Sequence, residues 1–480
     1  MPITKINYNQ VKAAPVNLAD FGAVGDGVAN DTTPWTNFIA ACVTNNKMGY
    51  VPSGVYLIDS FIFTSAHTGL ILYGESANAQ YASTATIKPS VLKLRTASAR
   101  FISIDNALKL TFDGISLDGG NFADNVLYYD GTTNNGNTYW SNSYFRGATA
   151  ATGYTHRYAG TQGGESCVFF RCAFQSEFPA TANHALAHVY MTNSNAILGR
   201  YDHCVFQDAT NLINYEQGSG YDLIDCEFYS PATAHIEIGT YCAGITIKNA
   251  YTEGVTGKPF INQTNGAAAH NYAPIIIINP SNNNTGTCPM TFTCQQPVHI
   301  YGGKMGPNNI AINPAATWGV FPIIVDGVQF TTGAYTGTGV NTLLYERGSG
   351  NLSGGVWTAI AGLYIAASTA SGGAVTTAVS WKAYKSDHLV TLVLPTTIGT
   401  AVGGVSINMA VPLPASFRPA ATLFNVMVQV QINSAVVNVP GMVTVDSTGA
   451  IKIYRDATAV VDWGTAASTG FYNCTVSWVV

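Results

Sequence analysis

From about residue 50 onward, apolar positions fall in short alternating runs rich in Val, Ile, Phe, Tyr and Thr, separated by Gly, Asn, Asp and Ser. Period-two alternation of this kind predicts half-buried β-strands bounded by turns. One segment departs from it. Trp35, Phe38, Ile39 and Cys42 recur at i, i+3, i+4 and i+7, with Thr33 placed to cap and Pro34 at the first helical position. This predicts a single amphipathic helix over 34–43.

The strand pattern repeats through the middle of the chain as a polar or small residue flanked by alternating apolar positions. It is seen as FDGISLDG at 112, SNSYFRG at 141, FFRCAFQS at 169, YDHCVFQD at 201, LIDCEFYS at 223, TIKNAYTEG at 246 and VDGVQFTT at 325. Aligning Cys172, Cys204, Cys226 and Asn249 gives intervals of 32, 22 and 23 residues. A constant strand element at variable spacing fits a parallel β-helix, whose insertions leave through the turns between stacked coils. Cys172, Cys204 and Cys226 are then expected to form one interior stack, and Phe174, Phe206, Phe228 and Tyr251 a second. Past residue 350 the text becomes Gly/Ser/Ala/Thr-rich and then strand-like again. The expected division is a neck over 1–20, a β-helix over 21–350, a linker over 351–380 and a β-sandwich of jelly-roll character over 381–480. The clearest hairpin of that last module is MVTVDSTGAIKIY, where Asp446 to Gly449 form the turn.

Composition changes the picture in three ways. Only 10% of the residues are charged, against about a quarter in an ordinary globular protein, so the surface must be largely uncharged polar. A net charge of -5 without a basic run gives no electrostatic basis for nucleic-acid binding, and no apolar run is long enough to insert in a membrane as a helix. The nine cysteines form no C-x-x-C pair, so buried free thiols are expected, with no metal site and no cofactor. The glycines of FGAVGDG run G-x-x-G-x-G without a lysine, which fits neither a phosphate loop nor a dinucleotide fingerprint.

The phrase DFGAVGDG, then Asp31-Thr32, then YVPSGVYLI at 50–58, resembles the opening segment of the pectate-lyase-like right-handed β-helix superfamily, in particular phage tailspikes and capsule depolymerases. The matched positions are Asp20 to Asp26, Gly27, Asp31, Thr32, Pro52, Gly54 and Tyr56. GVWTAIAG, LPASFRPA and the closing GFYNCTVSW are similar to the terminal β-sandwich of such proteins. The resemblance implies a homotrimer of the virion tail that recognises and cleaves a bacterial surface polysaccharide. With so short a segment ahead of the β-helix, docking onto another tail protein or a truncated virion-binding domain is also implied. It supplies no catalytic residues.

Glycoside hydrolysis takes two carboxyl groups, about 5 Å apart for retention or about 6.5 to 9.5 Å for inversion. If Ile224, Cys226 and Phe228 point inward, Asp225 and Glu227 face outward together at i, i+2. Asp225 would then lie between His203 and Lys248, with Arg171 a coil earlier, and Glu227 beside Val205 and Ala250. An ionised base and a protonated acid would follow from those surroundings; a solvated charge ladder is the alternative. A second group is expected on the neighbouring strand, with His188, Asn214 and either His235 or Glu237 facing out, and Glu216 paired with Glu237 across adjacent coils. Trp140, Tyr144 and Arg157, in the long stretch 130–165, are expected to contact sugar. Uronate β-elimination using Arg171, His203 and Lys248, and binding without cleavage, are the competing functions.

Overall fold

A computed structural model describes residues 14–75, 89–130, 135–149, 152–160, 164–176, 185–193, 196–253, 257–263, 273–282, 288–293, 296–305 and 310–313, and beyond these mainly strands and the residues next to them. The neck residues 1–13 and most of the expected linker lie outside the described residues. Packing divides the chain into two compact units that part near residues 321–338. Among the described residues no helix is long and apolar enough to cross a membrane.

The first unit is a right-handed parallel β-helix, in which every strand pairs in parallel with its counterpart in the coils before and after. Three ladders run its length. The first includes Ile102–Ile104, Asn125–Tyr129, Tyr154–Tyr158 and Ala185–Met191; the second includes Thr111–Asp113, Tyr139–Ser141, Val168–Phe170 and Arg200–Asp202. Ala209–Ile224 and Ala234–Lys248 are long enough to serve both. The third ladder includes Tyr144–Ala148, Ala173–Gln175, Val205–Gln207, Glu227–Tyr229 and Tyr251–Glu253.

Stacked coils put identical side chains on top of one another, which is why the interior is ordered by residue type. Phe145, Phe174, Phe206 and Phe228 stack with ring centroids 4.9, 5.0 and 5.2 Å apart and interplanar angles of 11°, 9° and 11°. Each buried ring contributes about 1.5–3 kcal/mol from burial alone. Cys172, Cys204 and Cys226 form the expected neighbouring stack, and each thiol donates to a carbonyl of the preceding coil: Trp140 at 3.6 Å, Phe169 at 3.4 Å and Tyr201 at 3.4 Å. Burial holds the Cys204 and Cys226 thiols well above their ordinary range, so they are inert packing. The next coil differs from expectation by one residue. Thr252, not Tyr251, continues the phenylalanine stack, Ala250 is the buried residue beside it, and Asn249 occupies the turn.

The glycine-rich opening is organised by a buried acid. Asp31 accepts the backbone N–H groups of Val24 and Gly25 at 2.8 and 3.2 Å, so the loop wraps its carboxylate. The helix runs Thr32–Thr44, which places Thr33 inside it rather than at its cap, and buries Trp35, Phe38, Ile39 and Cys42. It closes over the first coil so tightly that a Cβ on Gly49 would lie 2.5 Å from the Phe38 ring.

The second unit is antiparallel. Leu363–Ser371 pairs with Ala378–Ser386, Leu389–Leu394 with Cys474–Val479, and Gly441–Val445 with both Leu423–Val428 and Ile451–Tyr454. Strand Leu363–Ser371 thus lies within the segment expected as linker. In the hairpin, Val443, Val445, Ile451 and Ile453 face one core with Leu392 and Trp478, and Gly449 takes the left-handed turn position at φ 83°.

Candidate functional site

The first ladder breaks period-two alternation at one level of successive coils. Thr155–His156, His188–Val189, Leu212–Ile213 and His235–Ile236 are consecutive pairs in which both members are buried. One member faces the interior, and the other is covered by neighbouring backbone and side chains. His188 Nδ1 meets Thr155 Oγ1 at 3.0 Å and its Nε2 reaches the carbonyl of Gln207. His235 Nδ1 donates to the carbonyl of Pro259 at 3.0 Å. Sequence alternation predicts His188, and either His235 or Glu237, to face solvent; both histidines are buried, because simple alternation does not register a position where the chain is covered on both sides. Burial lowers the imidazole of His156 and brings that of His235 down to about 4.

The residues just beyond these pairs do face outward. Arg157, Tyr190, Asn214, Glu237 and Asn262 stand in register on successive coils, all half-buried. Tyr154 and Tyr190 stack face to face, 4.4 Å between centroids at 11°. The Arg157 guanidinium lies 5.2 and 5.4 Å from the two ring centres, and its buried Nε has no hydrogen-bond partner among the described residues. Asn262 donates from Nδ2 to Glu237 Oε2 at 2.9 Å, which fixes that carboxylate. The Asn214 Oδ1 is buried without a partner among the described residues. Glu216 lies two residues beyond Asn214, its carboxylate against Gly239, where a Cβ would come within 2.2 Å of Oε2. Burial and then the nearby Glu216 charge raise the Tyr190 phenol, against the pull of Arg157. Asn214 is level with Glu237, and the register shifts between Tyr215 and Gln217, so Glu216 stands further along the adjacent coil, against Gly239.

The other carboxylates occupy a corner. Leu223 is buried and Ile224 only partly so, the reverse of expectation, because the chain leaves the second ladder here. Asp225 is in the left-handed region at φ 50°, at the same turn position as Arg171, His203 and Asn249 (φ 52°, 53° and 53°). Asp225 therefore follows His203 and precedes Asn249, whose Nδ2 donates to its Oδ1 at 2.8 Å; Lys248 is level with Ile224 instead. Glu227 starts a strand of the third ladder between Val205 and Tyr251 and accepts the Tyr229 hydroxyl at 2.6 Å. Burial, then Glu227, raise that phenol. Asp225 and Glu227 are consequently on opposite sides of a turn, and the straight-strand i, i+2 spacing does not describe them.

Two expected sugar contacts are packed away. Trp140 is buried, stacked on Phe112 at 3.9 Å, with Nε1 donating to Tyr129 Oη at 3.3 Å. Tyr144 is buried with Val91 and Ala173 beneath Arg146, and burial lifts its phenol to about 12. Conversely, Tyr190 and Asn262 escaped sequence reading. Their place follows from the repeated pair of buried residues: in YTHRY and ALAHVYM, Arg157 and Tyr190 stand just after it and face outward.

Residues 15–256, half of the chain, match the family described as rhamnogalacturonase A/epimerase, pectate lyase-like. The chain belongs to this family. No curated protein sequence matches the chain. For this pectate-lyase-like chain, the crystal structure of the Dettilon tailspike protein superposes with a TM-score of 0.59 at 12% identity, over 97% of this chain and 94% of that one. A tailspike of Acinetobacter phage vb_AbaP_AS12 gives 0.45 at 11% identity, over 92% and 81%. The A-module of a mannuronan C-5 epimerase from Azotobacter vinelandii gives 0.45 at 12% identity, over 72% and 93%. At 12% identity the likeness to the Dettilon tailspike protein is one of fold.

Proposed function

We propose that this pectate-lyase-like chain is a phage tailspike that binds and depolymerises a bacterial surface polysaccharide by endo-glycosidic hydrolysis, with Glu216 and Glu237 as the carboxylate pair. The observation that carries this reading is their placement on adjacent coils of one outward strip, beside the stacked Tyr154 and Tyr190. Parallel tyrosine faces suit the apolar faces of a sugar ring. Arg157, Asn214 and Asn262 supply donors and acceptors for its hydroxyl groups. Standing on adjacent coils, the two carboxyl groups are proposed to flank the sugar with a water between carboxylate and sugar, as inversion requires. Glu237, oriented by Asn262, is the proposed base that activates that water, and Glu216, whose charge acts on the Tyr190 phenol, the proposed acid at the leaving oxygen.

Assembly as a homotrimer, attachment to another tail protein and a place in the virion tail belong to the same proposal, as does the division into neck, β-helix, linker and β-sandwich. The test is digestion of purified capsule or O-antigen from the host. New reducing ends without an unsaturated product are expected. Ultraviolet absorbance of an unsaturated uronate would replace hydrolysis by elimination, and intact polysaccharide that is bound but uncut would make the protein an adhesin.

A further inference from the structure

Away from the Glu216–Glu237 strip, the corner of the second ladder gathers Asp202, His203 and Asp225, with one ligand atom from each lying within 4.8 Å of the others. Among the described residues it is the one such group of three or more. Its hydrogen bonding assigns each atom a role. His203 Nδ1 is 2.6 Å from Asp202 Oδ1; a carboxylate only accepts, so Nδ1 carries the hydrogen. Nε2, the ring's remaining nitrogen, lies 3.8 Å from Asp225 Oδ2, while Asn249 occupies the other oxygen of that carboxylate. The two atoms are too far apart for an ordinary hydrogen bond.

That gap has the dimensions of a metal bridge. With zinc about 2.0–2.1 Å from an imidazole nitrogen and about 2.0–2.2 Å from a carboxylate oxygen, the two ligand atoms lie about 3.4 Å apart at a tetrahedral angle and about 4.2 Å apart when collinear. Asp202 adds the outer partner that metal-binding histidines ordinarily have, a carboxylate accepting the remote ring N–H, and Arg200 secures Asp202 from its other oxygen. His203 is half exposed, so an ion can enter from solvent. Both ligands are held in the left-handed turn conformation, which fixes the origin of each side chain. We infer that His203 Nε2 and Asp225 Oδ2 bind a divalent zinc-like ion, with water completing its coordination and Asp202 orienting the imidazole. One nitrogen and one oxygen donor favour Zn²⁺, Co²⁺ or Ni²⁺ over Ca²⁺ or Mg²⁺, which need more oxygen ligands. Because His203 and Asp225 belong to consecutive coils, the ion staples one coil to the next.

The test is calorimetric titration of the full chain with Zn²⁺, and with Ca²⁺ for comparison, alongside thermal unfolding in each ion. One Zn²⁺ per chain is expected, with a rise in Tm and no comparable response to Ca²⁺. His203→Asn and Asp225→Asn, both compatible with a left-handed turn, should weaken Zn²⁺ binding at least tenfold and abolish the rise in Tm. Asp202→Asn should weaken it about 10- to 100-fold without removing a ligand. His299→Gln, which alters a histidine on an outward strand of the same ladder, should leave binding unchanged. Absence of Zn²⁺ binding, binding indifferent to the His203 and Asp225 variants, or equal binding of Ca²⁺ would each overturn the site. Circular dichroism in metal-free buffer establishes that the variants are folded, and the titration is independent of whether the polysaccharide is cut.

Discussion

The strip bearing Glu216 and Glu237 and the corner bearing Asp225 and Glu227 each bring two carboxylates near the surface of the same β-helix, and they do so by different means. On the strip, backbone pairing fixes relative position: Asn214 is level with Glu237, and a register shift just beyond it sets Glu216 against Gly239. At the corner, a left-handed residue separates two ladders, and each carboxylate is claimed locally, Asp225 by Asn249 and Glu227 by Tyr229. A strip repeats across coils and offers a long face to a polymer. A corner concentrates charge at one point and suits an ion. Proximity in sequence therefore says less about joint chemistry here than the ladder to which each residue belongs.

The sharpest way to break this comparison is kinetic. Glu216→Gln and Glu237→Gln should each lower the release of reducing ends by about 10²- to 10⁴-fold, the scale of a positioned general acid or base, whereas Glu227→Gln should stay within a few-fold of the parent. A large loss at Glu227 with none at Glu216 or Glu237 would move the chemistry to the corner. Next in size is the contrast between interior and strip. Phe206→Ala should cost about 3–5 kcal/mol in denaturant unfolding by opening a cavity in the ring stack. Tyr190→Ala, on the outer face, should cost at most about 1 kcal/mol, yet weaken oligosaccharide binding.

Acid should erode the stability contributed by the first ladder's buried histidines. His235 is lowered to about 4 and His156 is also lowered, both by burial. Below the ordinary imidazole range the unfolded chain takes up protons that the folded chain refuses. Their contribution is therefore fully present above pH about 6.5 and lost as pH falls toward 4, at up to about 1.4 kcal/mol per pH unit for each such histidine. Urea midpoints across that range should show the fall, and His235→Asn should flatten it. The last contrast belongs to the corner turn. Asn249→Ala loses a left-handed preference worth about 1–2 kcal/mol and two side-chain hydrogen bonds, to Asp225 and from Asn279, of about 1 kcal/mol each. Asn249→Gly should recover the first part but not the second, as read from the same unfolding curves.

Much of the scaffold was legible because stacking is local chemistry repeated. A cysteine before a phenylalanine two residues on, in FFRCAFQS, YDHCVFQD and LIDCEFYS, announces an interior stack. The reading slipped at TIKNAYTEG, where Ala250 and Thr252 took the inward places and the larger Tyr251 drew the alignment one residue off. His188, His235, Trp140 and Tyr144 misled for a related reason: polar or amphipathic side chains read as exposed when nothing in the text marks the layer that covers them.

Period-two burial and repeated turn residues act within a single coil, and they are enough to specify the β-helix, its capping helix and the order of its interior stacks. Which carboxylates share a face, where alternation breaks, and that His203 meets Asp225 come from the packing of coil on coil. Those relations depend on register between coils tens of residues apart, set by backbone pairing and turn conformation rather than by any residue's own preference.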